Sequence, residues 1–403
     1  MANTAAVITD VTKETMRLFE NNLVFTSKVN RQFDEYFGKS GRKIGQTLTV
    51  RIPPKFTIRS GATFAAQDIT DQTSVITQAT QEGIDFAFTS AELTQSFDMV
   101  SERYIAPMVR TLTANIDKTG MAQYLNVYNM AGTAGTSPAT MTPVLAARAK
   151  ILNQAGPESD LHGVVDITGN NSLIVGNSAL FANNSKISDQ YDKGMFGKNV
   201  FGLDDLSFSQ SVNFHTAGLQ GGTPLSNGAT QTGASIATDG WSNSITGVVK
   251  AGDVLTFAGV YSVNPLTKIS TGILQDFVVT ADANSNGSGQ ATILISPPVT
   301  TSTAYQTVST SIADNSAIVV KTGTTGQITP QSLIFNRDAF TFVMADLELP
   351  TSGVEAASRK RYKDYSVRVI TFYDGSTDQF KFRLDVLYGW KTLRPEWACR
   401  LIG

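Results

Sequence analysis

Two histidines and one cysteine are all that 403 residues offer to imidazole, thiol or soft-metal chemistry. A single cysteine excludes an intramolecular disulfide and leaves a cysteine-ligated metal site or iron–sulfur cluster without its ligands. Cys399, two residues from Trp397, reads as a small packed side chain rather than a reactive thiol. An excess of charge of one sign is missing too. Lys and Arg number 32 against 34 Asp and Glu, so no general field draws the chain to nucleic acid or to an anionic membrane. No apolar run approaches the about 18 residues that a membrane-spanning helix requires. The opening MANTAAVITDVTKETMRLF has no basic head followed by an apolar stretch, and predicts no signal peptide. These absences predict a soluble protein of a reducing compartment, and 41% apolar residues suffice for a large core. The length allows two or three domains, or one elaborate one.

Catalytic signatures are equally scarce. There is no G-x-S-x-G nucleophile turn, no phosphate-cradling G-x-x-x-x-G-K-[ST] loop and no G-x-G-x-x-G after a strand. His162 lies in a Gly/Asp-flanked loop, and His215 at the edge of a change in composition. Neither has a carboxylate, Cys or His at ligand spacing. Asp204 and Asp205 could hold a divalent ion, but neighbours on a strand point to opposite faces, which favours a turn with solvated charges. The basic run SRKRYKD (358–364) reads as a polar loop, or as partners for acids across an interface, before it reads as a nucleic-acid contact. The expectation is no enzyme site, no metal and no cofactor.

What is present is architectural. Residues 10–38 read as an amphipathic helical region built on Val11, Met16, Phe19, Leu23 and Phe25. In 43–70, alternation at Leu48, Val50 and Ile52 and at Phe56 and Ile58 predicts two strands joined across Pro53-Pro54, an extended hairpin-like arm. Arg51, Lys55 and Arg59 lie along it, either as a solvated strand face or as contacts to a neighbouring subunit. EGIDFAFT (82–89) predicts a third strand. A capping box at Thr89-Ser90-Ala91-Glu92 then opens a helix whose apolar positions run to Leu125, a rod of roughly 50–60 Å kinked at Pro107. TPVLAARAKILNQAGP (142–157) predicts a second helix with Thr142 as N-cap, Pro143 first and Gly156 as its stop. SLIVGNSALF (172–181) reads as a buried strand, with a helix starting at Asn177 or Ser178.

The composition then shifts. Residues 216–330 hold 8 charged side chains in 115, with no Arg or Glu, against 58 in the other 288. Thr, Ser, Gly and Asn separate strand-like runs such as VLTFAGV, DFVVTA and ATILISP, which predicts a folded all-β insertion, a small barrel or sandwich. Afterwards Val367, Val369, Thr371 and Tyr373 alternate up to Asp374-Gly375, and Phe380, Phe382, Leu384, Val386 and Tyr388 alternate beyond it, a hairpin. The chain leaves one domain near 215 and returns near 330.

LFENNLVFTSKVNRQFDEYFGKSGRKIGQTLTVRIP (18–53), GDVLTFAGVYSVNPLTK (252–268) and DVLYGWKTLRPEWA (385–398) resemble the major capsid (coat) proteins of tailed bacteriophages. NVFGLDDLSFS (199–209) resembles the segment that precedes an insertion in the branch of the short-tailed Salmonella phages. The likeness covers most of the chain in order and is strong in these four patches. It implies an α+β Johnson fold with an N-terminal arm (1–40) and an extended β loop (41–82). A spine helix of about 89–128 falls within 83–140 with the start of the peripheral domain, followed by an axial domain (141–215). An inserted β-rich domain (216–330) and a return to the axial and peripheral domains (331–403) complete it. The resemblance further implies self-assembly into the hexamers and pentamers of an icosahedral head, with a scaffolding protein during assembly and a portal protein at one vertex. Double-stranded DNA would lie inside without sequence-specific binding, no membrane would be involved, and decoration proteins are left open. The location implied is the virion capsid, assembled in the cytoplasm of the host bacterium. Arg51, Lys55, Arg59, Arg359, Lys360 and Arg361 are the expected inter-subunit contacts, while the insertion is too poor in charge to inherit the family's charged cross-capsomer contacts. The Thr/Ser/Gly-rich insertion also fits a second class of function, a β-rich adhesion or carbohydrate-binding module on a helical scaffold.

Overall fold

The structure, a computed structural model, describes residues 12–19, 22–31, 47–59, 61–64, 66, 72–77, 80–89, 105–177, 194, 196–362 and 364–403. The chain divides into two compact units. One comprises 1–51, 73–120 and 340–391; the other comprises 52–72, 121–339 and 392–403.

The described residues of the first unit include an antiparallel sheet and an amphipathic helix. The centre of the sheet is β22 (Gln379–Thr392), which pairs with β21 (Tyr365–Asp374) and with β3 (Thr80–Thr89); β19 (Phe340–Ala345) and β20 (Ala356–Tyr362) belong to the same sheet. At about 3.3 Å per residue, the 14 residues of β22 span roughly 45 Å. The predicted hairpin is present. Asp374 pairs with Gln379, and its carboxylate and carbonyl accept from Ser376 N (3.0 Å) and Thr377 N (3.3 Å). The helix α1 (Ala106–Met121) buries Val109, Leu112, Thr113, Ile116 and Asp117, the three-and-four spacing of one face. It ends in a single-turn 3-10 helix, Ala122–Asn126. Pro107 lies in the first turn of this described stretch; Thr89 of the capping box is the last residue of β3, and 90–104, with the rest of the box and of the expected rod, fall outside the described residues. Residues 12–19 are helical, and Met16, Phe19, Leu23 and Phe25 are buried as the pattern predicts. Phe25 packs between Phe340 (5.6 Å between ring centroids) and Trp390 (5.5 Å).

The arm departs from expectation. β1 (Thr47–Ile52) pairs with β2 (Gln72–Thr77), and residues 53–59 form no strand. Pro53 and Pro54 remove two successive ladder donors, so the alternation at Phe56 and Ile58 has no sheet to join.

Among its described residues the second unit holds two large hydrophobic cores. One lies between α2 (Met141–Asn153) and a six-stranded mixed sheet in the order β4-β23-β18-β5-β7-β6; it includes Val144, Ala147, Ile151, Leu161, Leu206, Ile334, Cys399 and Leu401. Those strands are Met130–Ala131, Ala398–Leu401, Ser332–Asn336, Leu161–Val165, Leu203–Phe208 and Gly197–Val200. α2 starts after Thr140 rather than Thr142, and the left-handed residue at its end is Ala155 (φ 57°) rather than Gly156. Gly156 is needed for space instead: a Cβ there would meet Ile151 Cγ2 at 2.6 Å. The predicted strand at 172–181 is a helix over its described part, α3 (Ile167–Asn177). Asp166 caps it by accepting from Gly169 N (3.1 Å), and Gly169, Asn170, Leu173 and Asn177 turn inward at helical spacing. A three-residue apolar run, Leu173 to Val175, does not by itself distinguish the two periods.

The other core belongs to residues 216–330. Six strands in the order β16-β11-β14-β15-β10-β9 form an antiparallel sheet: Ile318–Val320, Val254–Phe257, Phe277–Val279, Ala291–Val299, Gly233–Trp241 and Gly222–Ser226. Ser226 N donates to Ser316 O (3.0 Å) and Asn315 N to Ser226 O (2.9 Å), which brings β9 against the start of β16 and closes the sheet into a barrel. Ile236, Trp241, Phe257, Phe277, Ile293, Ile295 and Ile312 fill it. A separate hairpin, β12 (Tyr261–Val263) with β13 (Ser270–Leu274), turns where Asn264 Oδ1 accepts from Leu266 N and Thr267 N. The strands that lead in and out, β8 (Phe214–Thr216) and β17 (Ile328–Pro330), pair with each other as an antiparallel ribbon.

Candidate assembly surfaces and a buried polar joint

Of the residues expected at subunit contacts, Arg51, Lys55 and Arg59 are all exposed. Arg59 folds over its own loop, donating from Nη1 to Thr63 O (2.9 Å) and to Gly61 O. The apolar side chains of this stretch stand in water: Phe56 is 57% exposed, Ile58 92% and Phe64 84%. A monomer gains nothing from that, and a surface of this kind commonly marks a place where another chain binds. The basic run 359–361 is an edge strand, β20, rather than a loop. Arg359 Nη1 donates to Leu347 O (2.8 Å), and both Arg359 and Arg361 approach Asp346, at 3.9 and 3.5 Å. Only Lys360 of the three is exposed rather than half-buried. Cationic side chains on an edge strand also discourage indiscriminate strand pairing.

His162 sits on β5, its ring 6.3 Å from that of Phe335. Asp204 and Asp205 are on β7 and not in a turn; Asp204 accepts from Leu161 N at 3.1 Å. Burial pushes the Cys399 thiol up to about 12, which keeps it protonated and unreactive. No group of His, Cys, Asp and Glu suited to a metal ion occurs among the described residues.

A cluster that the sequence did not reveal lies where the β-barrel meets the rest of its unit. Asp253, fully buried at the start of β11, accepts from His215 Nε2 (3.0 Å), Thr322 Oγ1 (2.6 Å), Gly218 N (3.0 Å) and Lys250 N (2.8 Å). Burial alone would raise its pKa; the His215 ring and the other donors outweigh that and hold it below the usual aspartate value. The other nitrogen of His215 meets Tyr124 Oη at 3.2 Å. Arg400 lies over the Tyr124 ring (5.1 Å) and donates to Val127 O (2.8 Å) and Gly252 O (2.6 Å). Full burial pulls its pKa down to about 10. Gly252 must be glycine: its φ is 97°, and a Cβ would meet Leu125 Cδ2 at 2.5 Å and His215 Cε1 at 3.0 Å.

Next to it, Asp276 is gripped by two lysines. Lys321 Nζ donates to Oδ1 (2.9 Å), Lys150 Nζ to Oδ2, and both also donate to Met130 O (3.0 and 2.8 Å). Burial pushes the Lys321 ammonium down, and Lys150 beside it adds to that. Tyr128, Met130, Val254, Val278 and Ile402 pack as a small apolar seam alongside. A signal for this joint was available. In a segment that spares only eight charges, six of them (Asp253, Asp276, Asp282, Asp314, Lys268 and Lys321) make side-chain hydrogen bonds. Scarce charge in a folded segment marks sites where charge is needed.

The sequence profile described as "P22 coat protein - gene protein 5" matches residues 1–403. The major capsid protein of Acyrthosiphon pisum secondary endosymbiont phage 1 is 26% identical over 266 residues, covering 62% of this chain; the match spans 57% of that relative's length. Among solved structures, that of Mycobacterium phage Che8 aligns over 94% of this chain and 90% of its own, with 12% identity and a TM-score of 0.48. The capsid of Ralstonia phage GP4 aligns over 93% and 86%, with 9% identity and a TM-score of 0.45. At these scores the structural likenesses carry no argument.

Proposed function

The chain belongs to the P22 coat protein family, and on that premise we propose that it is the major capsid protein of a tailed bacteriophage, self-assembling into an icosahedral head around double-stranded DNA. Family membership over the full 403 residues is the observation that carries this reading. In this reading the chain has the Johnson fold, and we assign 216–330 to the inserted β-domain, 141–215 and part of 331–403 to the axial domain, and 41–82 to the extended loop. Hexamers and pentamers would form with a scaffolding protein in the host cytoplasm, and a portal protein would occupy one vertex.

The physical support is the set of apolar side chains at 56, 58 and 64, left for another surface to cover. Shells of many copies gain stability from repeated broad contacts rather than from one tight site. Arg51, Lys55 and Arg59 are assigned to the contact with an adjacent subunit. Lys360 is the residue of the basic strand left free to join them, because Arg359 and Arg361 already face Asp346.

The test is sedimentation velocity on the chain expressed with its phage's scaffolding protein. Fast-sedimenting closed particles are expected, and a slow monomer under every condition would refute the proposal. Replacing Arg51, Lys55 and Arg59 together by Glu should abolish the particles and leave the urea unfolding of the subunit unchanged. Equal loss of both would remove these residues from the interface.

A further inference from the structure

Two surfaces of this chain complement each other in charge and in apolar character. The first lies in the second unit, on the arm and the β12–β13 hairpin. Leu266 and Ile269 stand out from the hairpin's turn, 72% and 68% exposed. The turn holds them there: Asn264 Oδ1 accepts from Leu266 N (2.9 Å) and Thr267 N (3.2 Å), and Lys268 Nζ donates to Ala304 O. Burial lowers the Lys268 pKa, and the charge of Lys55 lowers it further, so the arm's cation lies within electrostatic reach of the hairpin's. Phe56 follows Lys55 directly, and the arm and the hairpin turn form one apolar, cationic patch. Neither ammonium meets a carboxylate among the described residues. Two like charges held near each other repel, and carboxylates from outside would relieve them.

The second surface lies in the first unit, an open groove of about 420 Å³ between the loop 348–354 and the strands β21 and β22. Leu349, Pro350, Val354, Ile370 and Phe372 give it an apolar lining. Arg368 and Arg383 line it too, but each is already paired, Arg368 with Asp385 (2.5 Å) and Arg383 with Asp85 (2.7 Å). Arg368 Nη1 also donates to Glu348 O (2.6 Å), and Glu355 N to Thr371 O (2.9 Å), which fixes the loop against the sheet. The carboxylates of Glu348, on the groove, and of Glu355, next to Val354, are exposed and enter no ion pair among the described residues. Two unpaired cations among apolar side chains thus face, in sign and number, two unpaired anions beside an apolar groove. Both surfaces belong to this chain, which selects a second copy of it as the occupant. Given the capsid reading above, on which this contact rests, we propose that the hairpin turn and arm of one copy seat in the groove of the next, with Leu266, Ile269 and Phe56 against its apolar lining and Lys55 and Lys268 meeting Glu348 and Glu355. Such a contact joins two different patches head to tail, and repeated from copy to copy it closes a ring.

The test is charge exchange in full-length chains expressed with the scaffolding protein, with closed particles counted by sedimentation velocity. Lys55→Glu with Lys268→Glu, or Glu348→Lys with Glu355→Lys, should each cut the yield of particles at least about tenfold, because like charges would then face each other. All four substitutions together should restore it. Cross-linking gives a second readout at exposed positions. Leu266→Cys with Leu349→Cys, treated as assembled particles with a short bismaleimide, should yield a ladder of linked subunits on a denaturing gel. Leu266→Cys with Ser376→Cys, at the exposed turn after β21, should not, and Cys399 is buried and stays out of the reaction. Particle yields that ignore both charge pairs, no recovery in the fourfold variant, or a 266–349 ladder that is missing or no stronger than the 266–376 one would each overturn the proposal and leave the capsid reading standing. A wild-type chain that forms no particles would overturn both.

Discussion

Replacing Asp253 by Ala strikes the joint at its most connected atom pair. The carboxylate accepts four hydrogen bonds, from the His215 ring, the Thr322 hydroxyl and the Gly218 and Lys250 amides, and all of it is buried. Removing one partner of such a buried network costs about 3–5 kcal/mol, because the donors stay behind without an acceptor. That is a factor of roughly a hundred to a few thousand in the folding equilibrium, and a large part of the about 5–15 kcal/mol that holds a typical domain. The control is Asp239→Ala: same residue type, same barrel, but half-exposed on β10, with an expected cost within about 0.5 kcal/mol. The assay is urea unfolding of the unassembled subunit, followed by tryptophan fluorescence, to which Trp241 in the barrel core contributes. Acid gives an independent check. Since the folded-state pKa of Asp253 lies below the usual aspartate value, its stabilisation is present above that value and is lost as the pH falls through the folded pKa. The gap between wild type and Asp253→Ala should therefore be constant near neutrality and close only below about pH 4. A penalty under about 1 kcal/mol at pH 7, or a gap that does not narrow in acid, would refute the reasoning.

Three further outcomes are expected. Asp117→Ala removes the acceptor of Val24 N (2.7 Å), Phe25 N (3.2 Å), Thr26 N (3.0 Å) and the Thr26 hydroxyl, and should accelerate hydrogen exchange at 24–26 by at least about tenfold, read by mass spectrometry. Gly252→Ala should destabilise the subunit by more than about 1 kcal/mol, through its positive φ and the contacts with Leu125 and His215, measured by the same urea titration. Cys399 should resist a thiol-specific reagent at pH 8 in the folded chain and react at once in urea, because burial both hides it and keeps it protonated.

Much of this architecture was legible because it rests on local periodicity. The barrel segment stood out by its eight charges and its Val, Ile and Phe runs, and the Asp374 turn by its flanking alternation. Where the reading failed, the deciding interaction was elsewhere in the chain. Whether Leu173 and Ile174 are strand or helix turns on the cap at Asp166, six residues upstream of the run that begins at Ser172. β1 finds its partner across the 19 residues 53–71, a pairing that no alternation announces. The joint was least legible of all. Its rings, carboxylates, lysines and arginine come from positions 124, 150, 215, 253, 276, 321 and 400, and spacing along the chain says nothing about contacts at such separations. His215 lacked a carboxylate nearby in sequence; its partner Asp253 is 38 residues away.

The central claim is that this chain works by binding many copies of itself. Electron cryomicroscopy of particles made by the chain with its scaffolding protein tests that directly. The account predicts closed shells with six-fold and five-fold capsomers, and density from a neighbouring subunit covering Phe56, Ile58 and Phe64. Shells in which those three side chains face solvent, or preparations that hold only monomers, would contradict it.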